Sequence, residues 1–192
     1  MPRDGSDTRR RILATAYELF FRKGFTRVSL DDIAEKAGLT KRTLYYHFRS
    51  KDELLTASLE FQHEFALAEI QKWGSRLPED LDAMLDSLFG RIAGWAAKPK
   101  WAGSGFTRLV MELADLPGHP ARKIASRHKA TVERWYTTEF AKRNVGSPAE
   151  CARQLMLLVE GCVALMLIHG DRRYAGAAAN AAKSFIKVRK HK

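Results

Sequence analysis

The sequence predicts an all-α protein of about nine helices, in which a small N-terminal helix-turn-helix unit precedes a larger helical region. Three observations predict it. Apolar residues recur with helical period along almost all of the 192-residue chain, with no convincing strand alternation and no repeat of solenoid length. Ser, Thr and Asp precede several of these stretches, where side chains that cap helix starts belong. Gly, Pro and Asn fill the short breaks between them. A hydrophobic content of 45% is ordinary for a globular chain.

The elements follow in order. Ile12, Leu13, Ala16, Leu19 and Phe20 share one face of a first helix, with Asp7 or Thr8 as its cap and Gly24 at its end. Ser29-Leu-Asp-Asp32 has the shape of a capping box and opens a second helix that Gly38 ends. Thr40 caps a short third helix running to about Phe48. Ser50-Lys-Asp-Glu53 is a full capping box and starts a long fourth helix, to about Trp73. Composition breaks around 74–78. Later helices are expected near 79–97, 104–116, 120–143, 148–169 and 172–188.

Residues 30–48 carry the function. Two helices joined at Gly38-Leu39, the second very short, have helix-turn-helix spacing. In the third helix Leu44 and Phe48 point to a core. Lys41 with Tyr45, Arg42 with Tyr46, and Thr43 with His47 form columns of hydrogen-bond donors on the other faces. Arg and Lys pair with guanine edges, Thr meets a base or a thymine methyl, and Tyr hydroxyls suit phosphate oxygens. Helix starts near Ser29, Thr40 and Lys51 add backbone N–H groups that favour phosphate. Arg9, Arg10 and Arg11 lead into the first helix, either to reach the DNA backbone or as a solvated arm.

Four segments in sequence carry a family resemblance. They are Arg10-Arg-Ile-Leu-Ala-Thr-Ala-Tyr-Glu-Leu-Phe, Lys23-Gly-Phe-Thr, Asp32-Ile-Ala-Glu-Lys-Ala-Gly-Leu, and Lys41-Arg-Thr-Leu-Tyr-Tyr-His-Phe-Arg-Ser-Lys-Asp-Glu-Leu54. From about Thr8 to Leu55 the chain resembles the N-terminal domain of TetR-family transcriptional regulators. The resemblance implies a homodimeric, usually repressing regulator that binds a palindromic operator and is released by a small effector. It places Ser29, Thr40, Lys41, Arg42, Thr43, Tyr45, Tyr46, His47 and Lys51 at DNA-contacting positions. It implies a DNA-binding domain over 1–52 and an effector-binding and dimerisation domain over 53–192, whose last two helices form a four-helix interface with a second copy. No motif of the resemblance extends beyond residue 55.

Beyond it, the helix from Pro148 is apolar nearly all round, so it is expected to be buried on several sides. The last helix is rich in Ala and Gly, which lets helices approach closely. Phe65, Phe89, Trp95, Trp101, Phe106, Met111, Trp135, Tyr136 and Met166 are candidates for a largely apolar effector pocket or for plain core. Glu160, inside an apolar helix, is a candidate polar group for a ligand, a dimer contact or solvent.

The remaining features bound the function. The net charge of +11 suggests a polyanionic partner. Twelve Lys or Arg and eight Asp or Glu fall in the first 55 residues, so net charge alone does not locate a DNA face. Cys151 and Cys162 are too few for a disulfide framework and read as inert thiols. Histidines 47, 63, 119, 128, 169 and 191 show no metal-ligand spacing, so no metal and no cofactor is expected. The most apolar run, 155–168, is interrupted by Glu160 and falls short of the ~20 residues a bilayer needs, so a soluble, cytoplasmic protein without a membrane partner is expected. The basic end, Lys183, Lys187, Arg189, Lys190 and Lys192, reads as a solvated tail. Two alternatives to a ligand-controlled regulator are an effector-independent architectural DNA-binding protein and an all-α enzyme. The second lacks a nucleophile–base pair, a Gly-rich phosphate loop and a metal cluster.

Overall fold

The computed structural model describes residues 5–190, and for 187–190 the backbone alone. The expected tail side chains of Lys187, Arg189, Lys190 and Lys192 lie outside the described residues. Among those described there are nine helices and no strand: α1 (Gly5–Lys23), α2 (Leu30–Lys36), α3 (Lys41–His47), α4 (Lys51–Gly74), α5 (Leu81–Ala96), α6 (Gly105–Met111), α7 (Pro120–Lys142), α8 (Pro148–His169) and α9 (Arg173–Lys190). They pack as two compact units, one of residues 5–68 with 105–128, the other of 69–104 with 129–190.

Unit 1 is built on the apolar face of α1. Ile12, Leu13, Ala16, Leu19 and Phe20 are buried with Ile33 and Ala34 of α2, Leu44 of α3, and Leu54, Leu55 and Leu59 of α4. Phe106 and Leu109 of α6 complete this core with Ala121 and Ala125 of α7. Each fully buried Leu or Phe contributes about 1.5–3 kcal/mol, enough to fix helices too short to be stable alone. The α2–α3 turn closes with two hydrogen bonds, from Leu39 N–H to the Ala34 carbonyl and from Gly38 N–H to Glu35, each 2.9 Å. Gly38 sits at φ 63°, the left-handed conformation this helix ending requires.

Helix α6 is shorter than its sequence pattern predicts. It ends at Met111, and residues 112–115 are turns held by bonds such as Leu113 N–H to Val110 O at 3.0 Å. Glu112, freed from the helix, accepts from the Thr26 hydroxyl at 3.0 Å and the Thr26 N–H at 3.3 Å. Arg108 donates to the Phe21 carbonyl at 2.8 Å. Both contacts hold the segment against the end of α1.

Unit 2 packs α9 against α5 and α8. Ala175, Ala178, Ala179, Ala182 and Ile186 form the buried stripe of α9 at helical spacing. Leu81, Leu85, Leu88 and Phe89 of α5 and Cys151, Leu155, Cys162 and Met166 of α8 face the same core. Helix α8 corrects two expectations. It is long and apolar enough, by length and composition, to cross a membrane. It is also buried on one side only: Leu157, Leu165, Leu167 and Ile168 are exposed.

Candidate nucleic-acid interface

Local hydrogen bonds hold the helix-turn-helix rigid. Ser29 caps α2: its hydroxyl accepts from Asp32 N–H at 3.1 Å and donates to the Asp32 carboxylate at 2.7 Å, and its N–H reaches the same carboxylate at 2.8 Å. These bonds hold the Asp32 carboxyl below its ordinary range. The Ser29 side chain is thus engaged within its own cap. Thr40 caps α3, accepting from Thr43 N–H at 3.1 Å, with the two hydroxyls 2.9 Å apart. Lys41 and Arg42 then supply first-turn N–H groups without intrahelical acceptors. At the start of α4, Glu53 N–H donates to Ser50 Oγ at 3.0 Å, but the Glu53 carboxylate turns to Arg49 N–H at 2.7 Å, so the expected capping box reaches one residue farther back.

The side chains of α3 sort into buried anchors and an outward face. Leu44 and Phe48 are 1% exposed. Tyr46 is 85% exposed and Tyr45 52%. Arg42 is exposed beside Tyr46, one turn away, while Thr43 and His47 are half-buried. The His47 ring meets Tyr46 edge-on at 5.2 Å. Lys41 is held by Asp31 of α2 at 2.5 Å, and this carboxylate raises its pKa, keeping it cationic. Lys51 lies over the Phe25 ring at 4.4 Å and donates to the Thr26 carbonyl at 3.4 Å. The α3 candidates therefore share one surface, Ser29 and Lys51 being tied into the frame that holds it.

The arginines at the N-terminus do not form an arm. Helix α1 begins at Gly5, so Arg9, Arg10 and Arg11 are helical. Arg9 packs over the Phe48 ring at 5.1 Å. Arg11 has two buried nitrogens, Nε and Nη2, without a hydrogen-bond partner.

Residues 12–57 match the family described as bacterial regulatory proteins, tetR family. A longer match, 42% identical over 150 residues, covers 65% of this chain and 68% of the HTH-type transcriptional activator FasR of Mycolicibacterium smegmatis. The chain belongs to the TetR family. Other TetR-family resemblances agree. The HTH-type transcriptional regulator TtgR of Pseudomonas putida is 41% identical over 61 residues, 32% of this chain and 29% of that one, so the match spans less than a third of that relative's length. The crystal structure of a TetR-family transcriptional regulator from Streptomyces coelicolor superposes with a TM-score of 0.85 at 24% identity, over 96% of this chain and 97% of that one, which shows the shared fold. TetR-family members are DNA-binding transcriptional regulators and not enzymes.

The effector candidates of this TetR-family chain are not gathered on one cavity. Phe65, Phe106 and Met111 belong to unit 1, where Phe65 and Met111 are 59% and 70% exposed and Phe106 is core. The other seven belong to unit 2. Phe89 and Tyr136 are buried in its core, and burial raises the Tyr136 pKa. Trp101 and Met166 line a groove of about 380 Å³ with Ala96, Ala97, Leu167, Gly170 and Arg172. Trp95 braces Trp101 edge-on at 5.5 Å. Trp135 lines a separate, small void of about 10 Å³. Glu160 is ion-paired with Lys129, which also donates to Ser104 Oγ at 3.3 Å. Among the described residues no group of three or more metal-ligating side chains converges.

Proposed function

We propose that this chain is a DNA-binding transcriptional regulator that binds a palindromic operator as a homodimer. The observation that carries the reading is the face of α3. Arg42, Tyr45 and Tyr46 stand in solvent on a helix locked by Leu44, Phe48 and the Thr40 cap. Arg42 reads a base edge, Tyr46 and Lys41 contact phosphate, and Thr40, Thr43, Tyr45 and His47 complete the face. Ser29 and Lys51 act at the flanking helix starts, Ser29 only by exchanging its Asp32 bond for phosphate. Residues 1–52 are the DNA-contacting domain and 53–192 the effector-binding and dimerisation domain.

The dimer forms through α8 and α9. Leu157, Gly161, Ala164, Leu165 and Ile168 are exposed on α8, and Gly176, Ala177 and Ala181 on α9. An apolar stripe beside small residues suits close helix–helix packing. Burial of a Leu or Ile is worth about 1.5–3 kcal/mol, so a symmetric pair of such stripes matches the roughly 4–15 kcal/mol that association costs.

The protein is cytoplasmic and acts as a repressor, released by a small, largely apolar effector. The half-buried Trp101 and the Met166 groove are the part of the candidate set that supports a ligand. Such a ligand releases DNA only by favouring a conformation that binds DNA less well, with a coupling of ~1–3 kcal/mol typical. Selection from random duplexes, followed by footprinting, tests the reading. The expected result is an inverted repeat with half-sites spaced near ~34–36 Å or a multiple. Binding without a preferred repeat would establish the architectural alternative instead.

A further inference from the structure

The interior of unit 1 holds a contact that the DNA-facing surface does not use. His63 of α4 and His128 of α7 are each 8% exposed, and their Nδ1 atoms lie 3.0 Å apart. The rings are nearly perpendicular, at 86° with centroids 5.3 Å apart. Phe106 of α6 stacks on His128 at 3.9 Å. A bond between two Nδ1 atoms needs one protonated and one bare nitrogen. It forms when both rings are neutral, and again when the donor ring is an imidazolium. It cannot form when both are imidazolium, because both Nδ1 atoms then carry protons and two positive charges face each other.

The charges that act on His63 come from α4 and α7. Burial and then Arg127 lower the His63 pKa, while Glu60 and Glu64 oppose them. Glu60 and Arg127 are themselves ion-paired. Helix α6 presents the Phe106 ring, its Arg108 being turned to the Phe21 carbonyl.

We propose that His63 and His128 form a proton-operated latch between α4 and α7 inside unit 1, closed with no proton or one added and broken by the second. Leu54, Leu55 and Leu59 of α4 share a core with Leu44 and Phe48 beneath the α3 face. Opening the latch loosens that support and weakens DNA binding in acid. This last step rests on the proposed function. A histidine whose folded pKa lies below its ordinary value binds fewer protons folded than unfolded. The latch is therefore at full strength above the ordinary histidine range and lost as pH falls through the lower, folded value.

The test compares urea unfolding of the full chain with H63Q and H128Q between about pH 8 and pH 5, where histidine titrates. His63 keeps its burial and the neighbouring Arg127 in H128Q, so the slope that remains there belongs to those, and the difference between the wild type and H128Q reports the bond to His128. The wild type should lose folding equilibrium constant more steeply with acid than either variant, about tenfold for each pH unit by which the partner ring depresses the second protonation step. Equal pH slopes overturn the latch. If the variants do not fold, ring ¹⁵N spectra of the wild type decide. One protonated Nδ1 shared at neutral pH, with a depressed second titration step, supports the latch, and two independent ordinary titrations overturn it. Anisotropy with the selected duplex gives the DNA arm. An extra acid loss of affinity in the wild type supports the coupling, and equal losses overturn it. No binding at any pH defeats the proposed function, and the folding comparison still decides the latch.

Discussion

Helix α3 of unit 1 and helix α8 of unit 2 expose opposite chemistry. Seven-residue α3 buries Leu44 and sends Arg42, Tyr45 and Tyr46 into solvent. Twenty-two-residue α8 buries six side chains and still leaves Leu157, Leu165, Leu167 and Ile168 uncovered. A polar, cationic face is stable in water and binds by exchanging water and counterions for phosphate and base edges. A contiguous apolar face is not, and marks a surface made for another apolar surface. The difference underlies the proposed assignment of partners: a polyanion at one helix, a second copy of the chain at the other.

The strongest way to break this comparison is at α8. The double change L157E and I168E places two charges in the proposed interface. Sedimentation at micromolar concentration should show monomer, with operator affinity lost by a hundredfold or more, about 2.7 kcal/mol or above. A variant that stays dimeric and binds normally would remove α8 from the interface.

Next in size is a control that touches neither face. Glu139 is 4% exposed and accepts from Lys142 at 2.7 Å and Arg143 at 2.8 Å. Burial alone would raise its pKa, but the two cations outweigh it and the net shift is downward. E139Q should cost about 3 kcal/mol in chemical denaturation, since Arg143 is left buried without its partner charge. The sign for pH follows from the lowered value. The stability Glu139 contributes is present above the ordinary carboxylate range and lost as pH falls through its folded pKa. The acid limb of the wild-type stability curve should therefore be steeper than that of E139Q. Dimerisation and DNA binding should survive in the variant under conditions where it is folded.

The α3 face is sharpened by two substitutions that differ in kind. R42A should cost ~1–3 kcal/mol and relax preference at one base pair. Y46F should weaken selected and random duplexes alike. Equal loss on both duplexes for R42A would move Arg42 from base reading to phosphate contact. The smallest effect is expected at the frame: S29A removes the α2 cap and should lower stability by about 1 kcal/mol, measured by thermal unfolding.

Much of unit 1 was legible because its signals are local. The Ser29 and Thr40 caps, the Gly38 turn and the Leu44–Phe48 anchors each lie within a few residues of what they organise. The same local reasoning overextended α6 to residue 116, because nothing near Glu112 shows that its carboxylate is needed at Thr26, 86 positions away. It considered the histidines only for metal-ligand spacing, and a pair 65 positions apart has no helical period by which to be noticed. Aromatic and Met content, with Glu160, named ten effector candidates but not their grouping, and they fall in two units with Trp101 and Met166 sharing a groove.

The sequence by itself determined the all-α class, the helix order, the outward face of α3 and the apolar character of α8. Helical period and end-capping act over three or four residues, so they are written in consecutive positions. Only the tertiary structure decided that α6 and the first half of α7 complete the core under the helix-turn-helix, that Glu160 is paired with Lys129, and that two histidines meet at 3.0 Å. Those outcomes depend on which helix faces meet once apolar surface is buried, and that choice is made by the packing of the whole unit.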